Sequence, residues 1–462
     1  MQHNKSRHFE DAQLLRQQFG QHGSGTFDGA LSAQDICAVV ERQLKTTRHR
    51  RYPPLKTLSL FIGQVLCAGR SCQDAVVRHL SGRVSAGKSS SSLNTAAYCE
   101  ARKRLPTAIA LDLGSLLGQR LQAMAPKAWR WQGRSVKLFD GTSVSMPDTP
   151  SNQAAFPQSR TQKPGLGFPM ARIGALIRLA SGAVLGYQVT ALRGKGSGEQ
   201  SVLHGLMDKI EPTDIVLADA LLATWWLIHA IASRGADVVM AQHGRRSTDF
   251  AQGKSLGTKD HIVEWPRPPK PAWMSAQAYA NCPPMLRMRE IEVGGRVLVT
   301  TLQEPGYASA QALDALYAMR WNIEVDFRVI KATLEMDVLR CKSSEMVEKE
   351  IAVCMLAYNL VRWAMNAGAS LAQVLPRTLS FAGCRRLLVG FFHQFEGCKG
   401  SHIADLIQVL LASLAKLKLP HRPDRVEPRA KKRRPKNLPL LTVPRQAARQ
   451  AIRLKRGLIL VP

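Results

Sequence analysis

The spacing of apolar residues changes period near residue 133, and that change divides the chain into parts that fold by different rules. From about residue 31 to 125, apolar positions recur at helical intervals in LSAQDICAVVERQL, LKTLSLFIGQVLCAG and CQDAVVRHL, and again from NTAAYCEARKRLP onward. A small helical domain is predicted there. Beyond it, SVKLFDGTSVSM reads as a strand and ARIGALIRLASGAVLGYQVTAL as two strands joined at Ser181-Gly182. The helix EQSVLHGLMDKI, the strand DIVLAD, the helix ALLATWWLIHAIASRG and the strand ADVVMAQ follow. Three antiparallel strands followed by alternating helix and strand predict an α/β fold with a mixed sheet.

A ribonuclease H-like core fits that order. Residues 243–306 interrupt it with Gly, Pro and Lys among the short β-like stretches HIVEW, LRMREIEV and GRVLVTTL, and Gly294-Gly295 between the last two signals a hairpin. After Pro305, amphipathic helices are predicted at 308 to about 336 and at 345–366. The expected organisation is a helical N-terminal DNA-binding domain (1–125), a first core part (133–242), a β-rich insertion (243–306) and a second core part (307–370). C-terminal helices (371–415) and a basic arm (416–462) complete it.

Charge identifies the class of partner. The chain has 462 residues and a formal net charge of +30. That excess is concentrated at the ends: +9 in residues 1–105 and +13 in residues 416–462. Stretches of this kind neutralise phosphates and release counterions, so a nucleic acid is expected as partner rather than a small-molecule substrate. The tail mixes prolines with Lys431-Lys432-Arg433-Arg434-Pro435-Lys436 and reads as an extended basic arm. Arg102-Lys103-Arg104 ends a helix just before Pro106. Cations there stabilise the helix dipole; beside Arg78, Arg83 and Lys88 they also form a candidate DNA contact. Nine cysteines show no CxxC and no Cys/His spacing, which predicts reduced, mostly core-filling thiols. No apolar run reaches the ~18 residues of a membrane helix, and the N-terminus lacks a signal-peptide stretch. A cytoplasmic protein without membrane contact is expected.

The segment from Tyr317 to Lys331 carries the most specific pattern. At about 100° per residue, Tyr317, Arg320, Glu324 and Lys331 share a stripe about 60° wide, while Met319, Ile323, Phe327, Ile330 and Leu334 form a separate apolar face. A solvated face with an Arg320–Glu324 ion pair explains two of these residues but not all four. Two aspartates sit at strand positions, Asp140 after Val136-Lys137-Leu138-Phe139 and Asp219 after Ile215-Val216-Leu217-Ala218. Carboxylates on adjacent strands, with Glu324 supplied by a packed helix, form an oxygen-only set suited to two Mg²⁺ ions, with Mn²⁺ as substitute. Such ions serve in-line phosphodiester displacement. Either aspartate alone is also a common turn former, and Asp214, Asp326 and Asp337 are rival carboxylates.

The spacing Tyr317-x2-Arg320-x3-Glu324-x6-Lys331 resembles the signature of the IS-four family of bacterial DDE transposases. LFDGT at Asp140, DIVLAD at Asp219, LYAMRWNIEVDFRVIK, AYNLVRWAM and NTAAYCEARKRLP are similar to the same family across nearly the whole chain. After Asp219 the chain reads Ala-Leu-Leu where the family has a small residue and an aromatic. The resemblance implies a ribonuclease H-like core with a β insertion between Asp219 and Glu324. It implies binding of terminal inverted repeats, strand nicking, hairpin formation and resolution, and strand transfer into target DNA by a homodimer on paired ends, in the bacterial cytoplasm at the nucleoid. Asp140, Asp219 and Glu324 would be catalytic metal ligands, Arg320 and Lys331 phosphate clamps, and Tyr317 a positioning group. A flipped base stacked on an aromatic relieves hairpin strain, and Trp265 and Trp273 of the insertion are the candidates; Trp225 and Trp226 are expected to place at least one ring in the core. The alternative is a DNA-binding protein of the same fold that has lost catalysis, and a nuclease or resolvase without strand transfer is a third reading.

Overall fold

The computed structural model describes residues 2–22, 26–44, 51–85, 87, 89, 92–396, 398, 400–420 and 439–455. The run from Lys431 to Lys436 and Lys88 lie outside the described residues.

One nine-stranded sheet, in the order β3-β2-β1-β4-β5-β9-β8-β7-β6, organises the molecule. Strands β1 (Val136–Ser145), β2 (Met170–Arg178) and β3 (Val184–Ala191) form the antiparallel part. β4 (Ile215–Ala218) runs parallel to β1, and β5 (Asp237–Ala241) parallel to β4. Side-chain alternation assigns the two faces. Leu138, Ile215 and Leu217 join one core, and Phe139, Val216 and Ala218 the other. Buried Lys137 is tolerated inside β1 because its ammonium lies 2.5 Å from Asp214 and donates to the Lys209 carbonyl at 2.6 Å.

Residues 243–306 continue this sheet. β6 (Lys254–Gly257), β7 (Asp260–Pro266), β8 (Met285–Val293) and β9 (Arg296–Thr300) extend it, because β9 pairs antiparallel with β5. The β8–β9 hairpin turns at Gly294 (φ 59°) and Gly295 (φ 73°), a left-handed pair that non-glycine residues resist.

The expected helix from 308 to about 336 is broken into three pieces. Helices Ala310–Ala318 and Trp321–Arg328 meet at Met319-Arg320, and a π-helical turn covers Val329–Thr333. At the junction the Asn322 side chain donates to the Met319 carbonyl at 2.7 Å. Such a local bond competes with the regular helical ladder. The next helix, Ser344–Leu371, is buried along nearly its whole length. It packs against the N-terminal helices Pro54–Leu66 and Thr107–Met124 and the C-terminal helix Ser401–Lys416. One of these cores runs from Ala12 to Leu414 over one face of the sheet, so the helical N-terminal part shares its interior with the rest.

Candidate active site

The β1–β4 pairing ends at Leu138 and Leu217, and continuing its register sets Asp140 level with Asp219. β1 runs on for several residues while β4 stops, which leaves both aspartates at the end of the parallel pairing. Asp219 caps the short turn Ala220–Leu222, its carboxylate accepting the Leu222 N–H at 3.3 Å. The Asp140 carboxylate accepts the Gly141 N–H at 2.7 Å.

Glu324 comes from helix Trp321–Arg328, which packs on β1 through the face that buries Ile323 and Phe327. Arg320 links the two sides of the site. Its Nη1 lies 3.7 Å from Asp140 Oδ2, and its Nη2 donates to Glu324 Oε1 at 3.0 Å. Asp140, Gly141, Thr142, Glu324, Lys331 and Asp337 line an open cleft of about 420 Å³. Within it, Lys331 pairs with Asp337 at 3.2 Å. The π-helical turn containing Lys331 keeps that side chain in the same cleft as Glu324 although the helix is not continuous.

Burial pushes the Asp140 carboxyl up to about 6; the charges of Glu199 and Asp219 add to the rise, while the Gly141 N–H and Arg320 oppose it. Burial works against the Arg320 charge too, but Tyr317, Glu324 and Asp140 hold the guanidinium firmly protonated. The three carboxylates suit a hard divalent cation by donor type. They are not gathered around a common point: among the described residues, no three His, Cys, Asp or Glu side chains converge closely enough to hold an ion. Arg320 stands between Asp140 and Glu324 and supplies positive charge there.

Residues 131–360 match the family model described as a transposase DDE domain. Over 353 residues the chain is 27% identical to the transposase InsG of insertion sequence element IS4 from Escherichia coli K12, covering 72% of this chain and 77% of that one. The chain belongs to the IS4 family of DDE transposases. A shorter match, 35% identical over 78 residues, covers 17% of this chain and 21% of the putative transposase InsL of element IS186A from the same bacterium. The piggyBac transposase in a synaptic complex with hairpin DNA aligns with 87% of this chain and 85% of its own at a TM-score of 0.42 and 8% identity, a likeness too slight to carry an argument.

In this transposase the rival carboxylates have other partners. Asp326 is fully buried between Arg362 (2.5 Å) and Arg377 (2.9 Å), Asp214 is paired with Lys137, and Asp337 with Lys331. Tyr317 is buried, its ring flanked by Arg296 and Arg320.

Two expected DNA contacts are corrected. Arg102 is 7% exposed; its guanidinium lies 3.9 Å from the Phe61 ring centroid and donates to the Cys72 and Cys341 sulfurs. It faces inward because helix Ala96–Arg104 buries that side against the core. Lys103 and Arg104 are exposed, and Lys103 pairs with Glu100 on the surface. Trp265 is 2% exposed, with Arg246 over its ring and its indole N–H donated to Glu290 at 2.7 Å, so neither face is open to a base. Alternation along β7 turns it inward. Trp273 is 61% exposed, its ring edge-on to those of Trp226 and His204. Trp225 is buried and Trp226 partly buried.

Sequence reasoning missed Thr142 and Arg328 in the lining of the cleft; both follow once Asp140 and Lys331 are placed.

Proposed function

We propose that this transposase moves an insertion sequence by binding its terminal inverted repeats, nicking a strand, passing through a hairpin and transferring the end into target DNA. The observation that supports this best is the level placement of Asp140 and Asp219 on adjacent parallel strands, with Glu324 across a cleft rimmed by Arg320 and Lys331. The antiparallel β3-β2-β1 sheet continued by parallel β4 and β5 is the order of a ribonuclease H-like core. No helix among the described residues is long and apolar enough to cross a membrane, in keeping with a protein of the bacterial cytoplasm working at the nucleoid.

Asp140, Asp219 and Glu324 would hold Mg²⁺ or Mn²⁺, two ions in the full site. Bound ions supply the charge that activates an attacking oxygen and stabilises the leaving one. Arg320, paired with Glu324 and Asp140 in the free protein, is available to a backbone phosphate when those carboxylates take another cation. Lys331 does the same from the far side of the cleft, and Tyr317 fixes the Arg320 guanidinium. Trp273 offers an exposed ring for a displaced base, and exposed Lys103 and Arg104 contact backbone phosphates. A homodimer on paired ends brings two such sites to one transposition event.

The test is cleavage of duplexes spanning the DNA that flanks the gene, where the element's own ends lie. Glu324→Gln keeps size and hydrogen bonding but loses the ligand charge, so end binding should persist while Mg²⁺-dependent nicking falls by orders of magnitude. Normal nicking by Glu324→Gln overturns the catalytic reading of the cleft. Binding without nicking by the unaltered protein would instead identify an inert DNA-binding relative.

A further inference from the structure

We propose that the cationic loops 156–169 and 192–198, beyond the end of β1, hold the backbone of target DNA as it enters the cleft. This rests on the reading of the chain as an enzyme that transfers element ends into a second duplex.

Between Asp148 and Glu199 the chain has no acidic residue and six basic ones, Arg160, Lys163, Arg172, Arg178, Arg193 and Lys195. Arg178 is buried; folding gathers the others. The first loop leads into β2 and the second leaves β3, and Ala171 pairs with Ala191, so both lie at one end of the sheet. Arg193 Nη2 donates to the Gln158 carbonyl at 2.8 Å and ties the loops together, while Arg172 Nη1 holds the second loop through the Ser197 carbonyl at 2.7 Å. The Gln158 amide donates to the carbonyls of Gln162 (3.2 Å) and Lys163 (3.0 Å), which curls the first loop. Arg160, Lys163 and Lys195 are exposed, and among the described residues none of their side chains makes a hydrogen bond or ion pair.

The second observation is the position of these loops relative to the cleft. Ser145 of β1 is level with Met170, where the first loop ends, and its N–H donates to the carbonyl of Asp337, a residue lining the cleft. Helix Pro150–Ala155, from which that loop departs, is bonded to the segment following Asp337 through Thr149 to the Lys342 carbonyl and Asn152 to the Cys341 carbonyl. Five strand residues separate Asp140 from Ser145, roughly 17 Å, or about five base pairs of duplex at ~3.4 Å each. The third observation is that a distant part of the chain adds to the same surface. A Cβ on Gly165 would lie 3.1 Å from Pro444 Cγ, so helix Arg445–Lys455 begins against the first loop. It has no acid and exposes Arg445, Arg449 and Arg453 at four-residue intervals. Like charges gathered with no acid among them repel unless a polyanion joins them.

Neither loop is the α-helix or β-ribbon that a major groove admits, so their cations meet phosphates, which carry no sequence information. The element's ends are the same at every event and its target is not, which makes this surface suited to target DNA.

Transfer of ready-cut element ends into a plasmid that lacks them tests this, because such ends carry no flanking duplex. In that step the terminal 3′-hydroxyl oxygen bonds to a target phosphorus, the target's P–O3′ bond breaks, and the proton lost by the first oxygen is matched by one gained by the second. The double variant Arg160→Ala with Lys163→Ala should lower transfer at least tenfold at limiting plasmid and recover at plasmid excess, while nicking of flanked ends changes less than twofold. Its affinity for plasmid should depend on salt with a log–log slope smaller by about two. Arg160→Lys with Lys163→Arg should transfer normally, as should Lys254→Ala, which removes an exposed cation from β6. Equal melting temperatures confirm that the variants are folded. Unchanged transfer in the alanine variant overturns the proposal, as does an equal loss in Lys254→Ala. A fall in nicking with transfer intact also overturns it and assigns the loops to flanking DNA. An unaltered protein that nicks but never joins ends to plasmid rejects the transfer reading instead; the salt slope then decides for the loops, and an unchanged slope rejects them as backbone contacts.

Discussion

Ionising Asp140 costs the folded protein, because burial and the nearby charges of Glu199 and Asp219 raise its carboxyl from the ordinary 3.8 to about 6. The folded state binds the extra proton between those values, so stability is highest below pH 4 with respect to this group and is lost as pH rises through about 6. Asp140→Asn removes that penalty. In metal-free buffer at pH 8 the variant should be more stable than the unaltered protein by about 2 to 3 kcal/mol, a gain that vanishes near pH 4. Urea unfolding at the two pH values measures it, and equal stabilities at pH 8 would contradict the raised carboxyl. The two basic neighbours Arg102 and Lys103 make a contrasting pair. Arg102→Ala should destabilise by about 3 kcal/mol, since it strips a buried cation of its ring and sulfur contacts. Lys103→Ala should leave melting unchanged and lower the salt dependence of DNA binding by about one unit. At this scale much of the site was legible, because the Tyr317–Lys331 spacing and the strand-borne aspartates are local patterns. Arg102 and Trp265 were misread for one reason. Sequence fixes a residue's neighbours along the chain, but which side of the helix or strand meets the core depends on distant packing.

Among the elements, helix Trp321–Arg328 shows how a short segment set between a helix break and a π-helical turn presents Glu324. Its back is pinned by fully buried Asp326, which pairs with buried Arg362 and partly buried Arg377. Removing that carboxylate leaves two cations without compensation. Asp326→Asn should therefore destabilise by about 3 to 5 kcal/mol, measured by chemical denaturation. An unchanged midpoint would mean that the helix is held by its apolar face alone. The broken course of residues 310–333 was not legible, because the apolar period continues across Met319-Arg320, whereas in the fold Met319 is exposed and Tyr317 buried and the Asn322 side chain bonds to the Met319 carbonyl at the break. The strands were more legible. Their alternation and the Gly294-Gly295 turn are local, but that β9 would pair with β5 and merge the insertion into one sheet is a long-range choice of partner.

For the molecule as a whole, charge and packing lead to separate expectations. Deleting the strongly basic tail beyond Pro420 should weaken binding to all DNAs alike and flatten the salt dependence, while protection of the element's ends survives. Loss of end specificity with an unchanged salt slope would move recognition into the tail. The N-terminal helices are not separable in the same way. Phe19 meets the Phe392 ring edge-on at 5.4 Å, the Trp363 indole donates to the Phe27 carbonyl at 2.7 Å, and Gln18 bonds to the Phe392 carbonyl across 374 positions. A chain closed in this way cannot complete its interior while it is being made. At about 5 to 20 residues per second, the first helix waits roughly 20 to 75 s on the ribosome before its partners are synthesised. A nascent chain arrested near residue 340 should be cut readily by protease within its first 66 residues, and the released full-length chain should resist at those sites.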